Sequence, residues 1–287
     1  MPLDIVTHSG PFHADDVLAV ALLRQWVDPG ATVTRTRDPA RIRRAEVVVD
    51  VGGLWDRPSR RFDHHQASYT GLRSAAGLVL DALHDEGRLT DGLFQVLDER
   101  LVRYVDAVDN GRVAPRHDVP CFARMVEVAN HGCTNFAAFD VAFEEATTFA
   151  AAWLRGLVTG HEEELAADAT VIAAMDAAKA HGTAIVELPR HLRWKPAYFR
   201  HGGADHPTTF IVFPSLDGSW QTVAIPPGEE RFDQKVPLPA AWAGLVDDAL
   251  VAVSGIPGAR FCHKNRFIAV FETREGAYAG LAAAGVR

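Results

Sequence analysis

The first third of the chain alternates short apolar runs with longer segments of helical periodicity. Strands are predicted at LDIVTH, ATVTRTR and EVVVDVGG, and helices at DDVLAVALLRQWV and DPARIRRA. Strands that are apolar throughout and separated by helices are typical of a buried parallel sheet. Two further helices are predicted at SAAGLVLDALHDEG and DGLFQVLDERLVRYVDAVDNG. The pattern therefore predicts an α/β domain.

The pattern of apolar and polar residues changes after a long helical stretch. Residues 137–181 are alanine-rich with apolar positions at helical spacing, and Gly182 suits a helix C-terminus. Strand-like runs follow at TAIVEL, TTFIVFPS and WQTVAIPP, and a helix is predicted at TREGAYAGLAAAG. We therefore predict a mainly parallel α/β domain, a helical connector and a smaller α+β domain, over residues 1–150, 151–182 and 183–287.

Composition narrows the class of protein. The chain has 287 residues, 48% of them hydrophobic and 23% charged, as in ordinary globular proteins. A net charge of −8 argues against coating long nucleic acid by bulk electrostatics, but not against a local basic groove. Three widely spaced cysteines without a CxxC pair indicate a reducing compartment. With neither a secretory leader nor a long apolar stretch visible, we expect a cytoplasmic protein without a membrane span.

Histidines and aspartates concentrate in four segments of the first domain. They are THSGPFHADD with His8, His13, Asp15 and Asp16, VVVDVGG with Asp50, FDHHQ with Asp63, His64 and His65, and YVDAVDNG with Asp106 and Asp109. His8 and Asp50 each end a predicted strand, and the carboxyl ends of parallel strands open into one crevice. We therefore expect these side chains to converge.

Imidazole and carboxylate ligands without a thiolate favour Mn²⁺, with Mg²⁺ as an alternative. The segments offer more ligands than one ion needs, which predicts a two-metal site with bridging carboxylates and an activated water. Each segment alone has a structural explanation: Asp15 and Asp16 suit a first helical turn, and Asp50 suits a loop. Their occurrence together favours the metal site.

The aspartate followed by two histidines resembles the signature of the DHH phosphoesterase superfamily. A finer resemblance, nearly end to end, is to the melanocyte proliferating gene family of DHH-type exonucleases. It is carried by THSGPFHADDVLAVALL, RTRDP, VVVDVGG, RFDHHQ, VDAVDNG, KVPLPAAWAGL, GIPGARFCHKNRFI and TREGA. The resemblance implies a DHH-type N-terminal domain, a C-terminal domain that holds substrate, and 3′–5′ exonuclease activity on single-stranded RNA or short oligonucleotides. It leaves a homodimer open.

The resemblance also implies residue roles. The expected metal ligands are His8, His13, Asp15, Asp50, His65 and Asp109, with Asp15 or Asp50 shared between two ions. His64 is expected to touch the scissile phosphate or assist proton transfer, and Asp63 to orient a neighbouring histidine. His64, Asp15 and Asp63 form the expected catalytic set. Asp106 stays an alternative to Asp109, since they lie one helical turn apart. The superfamily commonly has an aspartate, one residue closer to His8, where His13 stands.

Basic residues of the C-terminal part are expected to bind the rest of the substrate. In RHLRWK the cluster can pair with phosphates while Trp194 stacks a base, or it can form a solvated face with Trp194 in the core. In TREG, Arg274 begins a helix, a position suited to an anion. The expected substrate-binding set, besides His64, is Arg190, Arg193, Lys195, Lys264, Arg266 and Arg274.

Two rival functions remain open. The first is a phosphohydrolase of a small dinucleotide or pyrophosphate-type substrate, which the acidity of the chain keeps in view. The second is a metal-dependent binding module without turnover. A serine or cysteine hydrolase has little support, because no GxSxG elbow occurs and the cysteines lie away from the histidine-rich segments.

Overall fold

The structure is a computed structural model that describes residues 1–286. The chain divides into two compact units, the first ending at His161 and the second beginning at Glu162. One helix, α7 (Phe136–Ala180), begins in the first unit and ends in the second.

The first unit has a five-stranded sheet. Its strands are β1 (Asp4–Thr7), β2 (Thr32–Arg35), β3 (Val47–Val49), β4 (Trp55–Asp56) and β5 (Arg61–Phe62). Its helices before α7 are α1 (Ala14–Trp26), α2 (Pro39–Arg44), α3 (Ala75–Asp85), α4 (Asp91–Leu97), α5 (Arg103–Asp109) and α6 (Phe122–Ala129), and a π-helical turn, Asp98–Val102, joins α4 to α5.

The sheet order is β2-β1-β3-β5-β4, with parallel pairing except where β4 meets β5. The α/β class is therefore confirmed, and the sheet is mixed because a short antiparallel strand forms one edge. Helix α1 is buried at every position from Ala14 to Leu23, which explains why it is apolar on all faces. Asp15 and Asp16 are the acidic exceptions on this helix, and both are fully buried.

The adjacency of β1 and β3 positions the site. The two strands pair in parallel through Ile5 with Val47 and Val6 with Val48. His8 follows β1 and Asp50 follows β3, so both side chains lie at the carboxyl edge of the sheet. Asp50 has a φ of 54°, a left-handed conformation that aspartate tolerates better than most residues.

The second unit is a mixed sheet with helices. Its strands are β6 (Ile185–Glu187), β7 (Phe210–Pro214), β8 (Trp220–Ala224), β9 (Ala259–Cys262) and β10 (Ile268–Phe271), and its helices are α8 (Trp194–Arg200), α9 (Asp247–Ser254) and α10 (Arg274–Ala283). The order is β6-β7-β8-β10-β9, with only β6 and β7 parallel. Alternate residues of β7 enter different cores, since Phe210 and Ile211 belong to separate clusters.

The sequence gives two alternatives for Trp194, stacking on a base or packing in the core. Trp194 is only 9% exposed and packs near Tyr198, so the core alternative is the one that the structure shows. The hairpin of β9 and β10 is not among the elements that the sequence pattern predicts. No helix within residues 1–286 is both long and apolar enough to cross a membrane.

Candidate metal centre

Asp50 lies at the centre of the histidine–aspartate cluster. Its Oδ2 atom lies 3.4 Å from Nε2 of His8. Its Oδ1 atom lies 3.5 Å from Nε2 of His64 and 3.3 Å from Nδ1 of His65. The two oxygens of this buried carboxylate therefore face different histidines.

Three sets of side chains within residues 1–286 each offer one ligand atom per residue within 4.8 Å of the others. The sets are His8, His13 and Asp50; Asp50, His64 and His65; and His13, Asp15 and Asp109. Asp50 and His13 each occur twice. The structure thus brings all six expected metal ligands together with His64, in one continuous cluster.

His64 points into the carboxylates of this cluster. Its side chain is 6% exposed, and its Nε2 atom lies 3.0 Å from Asp109, 3.5 Å from Asp50 and 3.7 Å from Asp15. Burial lowers the pKa of His64, but the carboxylates of Asp109 and Asp50 outweigh burial and raise it to about 10. The imidazole therefore acts as the local counter-cation when no metal is bound.

His65 faces the other way. Its side chain is 60% exposed, and its Nδ1 atom lies 2.8 Å from Oδ1 of Asp63. Asp63 is itself fixed, because its Oδ2 accepts a hydrogen bond of 2.6 Å from the backbone N–H of Gly53. With Nδ1 donating to Asp63, the Nε2 atom of His65 is left as an acceptor. Asp63 thus contacts the ring and the backbone N–H of His65.

The buried polar atoms of the cluster lack partners. The atoms without a hydrogen bond are His8 Nε2, Asp15 Oδ1, Asp16 Oδ2, Asp50 Oδ1 and His64 Nε2. Buried polar groups are nearly always satisfied, so a group of unsatisfied donor and acceptor atoms that face one another calls for an absent ligand. Imidazole nitrogens and carboxylate oxygens suit Mn²⁺ among the common divalent ions. The residues present therefore fit a divalent metal.

The ionisation of the carboxylates supports the same conclusion. Burial, followed by the charges of Asp50 and Asp109, raises the pKa of Asp15 well above its ordinary value of 3.8. For Asp50, burial raises the pKa but His64 and His8 outweigh it, so the pKa falls to about 2. Asp15 thus has no adequate counter-charge of its own, and a cation would supply it.

Asp16 is a residue that the expected site left out. Its Oδ1 accepts a hydrogen bond of 2.9 Å from the backbone N–H of His13, which caps α1, and its Oδ2 lies 3.2 Å from Nε2 of His8. Burial raises the pKa of Asp16 to about 7. Its adjacency to Asp15 was the available signal, but a second acidic residue in a first helical turn is common enough to conceal the role.

Arg37 is the second residue outside the expected set. It lines a cavity of about 380 Å³ together with His8, His13, Asp50 and His65. Its side chain is exposed and forms no ion pair within residues 1–286. The RTRDP motif contained this arginine, but a basic residue after a strand gives no signal of what it faces.

Asp106 and Asp109 have different partners. Asp106 is 2% exposed, and its Oδ1 accepts hydrogen bonds from the backbone N–H and the hydroxyl of Ser74 at 2.9 and 2.7 Å. Its Oδ2 lies 3.0 Å from Arg73. Asp109, by contrast, lies beside His64 in the cluster. Asp106 therefore fixes the start of α3, where the N–H of Ala75 donates to Asp15.

The loop between β1 and α1 is held from two sides. Arg35 donates a hydrogen bond of 2.6 Å to the carbonyl of Gly10. Asn130 accepts from the N–H of Phe12 at 3.0 Å and donates to its carbonyl at 2.9 Å. Since His13 follows directly, these contacts preorganise its position without using a metal.

The basic residues expected to bind substrate lie in three places of the second unit. Arg193 and Lys195 line a cavity of about 450 Å³ beside the exposed Phe232, and Arg190 precedes them. Lys264 and Arg266 lie in the turn between β9 and β10. Arg274 is paired with Glu187 through two contacts of 2.7 and 2.6 Å, so an anion would have to compete for it.

The chain is similar to proteins of one family along nearly its whole length. Residues 4–284 match the MYG1 exonuclease family, described as an uncharacterised protein family (UPF0160). A "MYG1 protein" of Chlamydia trachomatis is 37% identical over 96% of this chain and 94% of its own length. The "MYG1 exonuclease" of Homo sapiens is 33% identical over 96% of this chain and 84% of its own length. The chain belongs to the MYG1 exonuclease family.

Proposed function

We propose that this protein is a metal-dependent phosphodiesterase that shortens single-stranded RNA or short oligonucleotides from the 3′ end. The observation that carries the proposal is Asp50, whose two oxygens face His8 on one side and His64 on the other. One divalent ion would be held by His8, His13 and Asp50, and a second by Asp15, Asp50, His64 and Asp109. Mn²⁺ suits this donor set best, with Mg²⁺ as the alternative.

The two adjacent histidines take different roles in this proposal. His64 is buried among three carboxylates, which suits a metal ligand better than a phosphate contact. His65 is exposed and held by Asp63, which suits contact with the phosphate or proton transfer. The geometry thus favours the reverse of the roles that the sequence resemblance implies, with Asp63 supporting His65 in either case.

The chemistry divides between bound ions and protein groups. Divalent ions supply water of lowered pKa and polarise the phosphoryl oxygens. Asp63 holds the His65 ring so that its Nε2 is free to exchange a proton. Arg37 is positioned on the cavity wall to pair with a phosphate oxygen, as guanidinium groups do. The peptide groups of Gly52 and Gly53 line the same cavity without side chains, which leaves room for the phosphate.

The second unit would bind the remainder of the strand. Arg190, Arg193 and Lys195 would pair with phosphates, and the exposed Phe232 could stack a base. Lys264, Arg266 and Arg274 would add further contacts. Arg193 is already paired with Glu164 and Arg274 with Glu187, so a phosphate would have to compete for both arginines. The three cysteines are free thiols, which supports the proposed cytoplasmic location.

A panel of substrates tests the proposal. The protein is incubated with Mn²⁺ and end-labelled RNA, matched DNA, a dinucleotide or pyrophosphate, beside a His64→Ala variant and a His181→Ala control at an exposed helix end. Stepwise shortening of RNA from the 3′ end, lost in His64→Ala alone, is the expected result. Turnover of only the small substrates would replace the proposal with the small-phosphohydrolase alternative. Metal binding without any turnover would indicate a binding module.

A further inference from the structure

A second cavity adjoins the metal centre. It has a volume of about 580 Å³ and shares His13, His65 and Asp109 with the centre. Cavities of this size are typical of small-molecule sites. Because the shared residues belong to the cluster, a group attached to a phosphate at the centre has direct access to this cavity.

The walls of this cavity are unlike those of the cavity that contains Arg37. Pro11, Val108 and Pro115 give it an apolar surface, with the buried Phe12, Val105 and Ala123 behind them, and within residues 1–286 no lysine or arginine lines it. Carboxylates lie at two places on its lining, Asp109 and Glu127. With no lysine or arginine to pair with a phosphate, such a cavity suits a neutral, largely apolar group better than a phosphate.

The cavity is preformed. Val105 and Phe12 are 0% and 1% exposed, so two of its walls belong to the packed core. Asn130 holds the backbone of Phe12 through two hydrogen bonds, which leaves little of its amide for a ligand. Of the exposed polar side chains at the rim, Glu127 is paired with Arg124, and His131 is left for a ligand. A rigid apolar slot with polar groups at its rim suits a heterocyclic base, whose faces are apolar and whose edge forms hydrogen bonds.

We propose that this cavity binds the base of the nucleotide at the end under attack, so that the metal centre separates a base pocket from a phosphate pocket. The inference rests on the proposed function for the identity of the attached phosphate. The substrate class is thereby narrowed to nucleotides with a base at the terminal position, and pyrophosphate is excluded as the preferred substrate.

Ligand binding to the Mn²⁺-loaded protein tests the inference without depending on turnover. A nucleoside 5′-monophosphate and ribose 5-phosphate carry the same phosphate and differ by the base. The nucleotide is expected to bind roughly tenfold to a hundredfold tighter, the effect of burying one base-sized group. Equal binding of the two ligands would overturn the inference.

The location is tested by filling the cavity. Ala123→Phe should bind the nucleotide no more tightly than ribose 5-phosphate, and its affinity for ribose 5-phosphate should be unchanged. Met125→Phe, on the same helix but outside the lining, should still bind the nucleotide more tightly than ribose 5-phosphate. Should Ala123→Phe fail to fold, His131→Ala at its exposed position should weaken the nucleotide alone several-fold. If the variant that folds still preferred the nucleotide to ribose 5-phosphate by the same factor as the parent protein, the base would bind elsewhere and the inference would be overturned.

Activity separates this inference from the proposed function. An RNA whose 3′-terminal residue lacks its base should be shortened much more slowly than the intact RNA. If both are shortened equally, the base pocket is wrong and the exonuclease stands. If neither is shortened but the nucleotide still binds tighter than ribose 5-phosphate, the base pocket stands and the exonuclease falls.

Discussion

The Nε2 atom of His64 lies 3.0 Å from the Oδ2 atom of Asp109, and both belong to the cluster around Asp50. The neighbouring histidine has a different environment, since His65 is mostly exposed and contacts Asp63. Two adjacent residues therefore have different surroundings. The imidazole of His64 is buried among carboxylates, whereas that of His65 lines two cavities.

Replacing each histidine should separate metal binding from catalysis. His64→Ala is expected to lower the affinity for Mn²⁺ by more than roughly 10–100-fold, which is the loss typical of a residue that hydrogen-bonds to a metal ligand. His65→Ala should leave Mn²⁺ affinity within a few-fold and lower kcat by about 10²–10⁴, the range for a proton-transfer group. Isothermal titration calorimetry and single-turnover rates measure the two effects. The opposite pattern would restore the roles that the sequence resemblance implies.

Metal binding should release protons at neutral pH. Without metal, His64 has a pKa of about 10, because the carboxylates of Asp109 and Asp50 outweigh burial, and burial raises that of Asp16 to about 7. A metal competes with these protons, so Mn²⁺ affinity should rise with pH through the neutral range. Calorimetry in buffers of different ionisation enthalpy counts the protons released. An affinity independent of pH, without proton release, would count against His64 as a ligand.

Asp15→Asn should stabilise the metal-free protein. The raised pKa of the Asp15 carboxyl, due first to burial, means that the folded state binds more protons than the unfolded state. The stability associated with Asp15 is therefore lost as pH rises from 3.8 towards the raised pKa, and the asparagine removes this loss. Tm at neutral pH without metal should rise, and the gain in Tm on adding Mn²⁺ should shrink. A lower metal-free Tm would contradict the electrostatic account.

Asp106 and Asp109 should differ when each is replaced by asparagine. Asp106 binds Ser74 and Arg73, so Asp106→Asn should lower the free energy of unfolding by about 1–3 kcal/mol. Asp109→Asn should change the free energy of unfolding little and should strongly lower the affinity for Mn²⁺. Urea denaturation of the metal-free proteins and calorimetry give the two numbers. If Asp106→Asn folded as stably as the parent and lost the metal, the assignment of Asp109 would fail.

Part of the site can be predicted from the pattern of apolar residues, because that pattern identifies the strands after which the site residues lie. The apolar runs identify β1 and β3, and a parallel sheet brings the residues after them, His8 and Asp50, to one edge. Strands β4 and β5 have two residues each, too few for any periodicity, so the loop that carries the histidine pair had no predictable direction. Which of two adjacent histidines points inward depends on that direction.

Other features depend on contacts that are distant in the sequence. Asp106 and Asp109 lie one helical turn apart, and Asp106 is the one bound by Ser74, which lies 32 residues away, and by Arg73. Arg37 lies at the cavity of His8 because it follows β2, which pairs beside β1. The identity of Trp194 as a core residue likewise depends on the packing of α8.

We propose that the histidines and aspartates on the two sides of Asp50 would hold two divalent ions. Anomalous diffraction from crystals grown with Mn²⁺, recorded at the manganese edge, tests it most directly. Two peaks are expected, one beside His8, His13 and Asp50 and one beside Asp15, Asp50, His64 and Asp109. A single peak, or peaks away from both oxygens of Asp50, would contradict the claim.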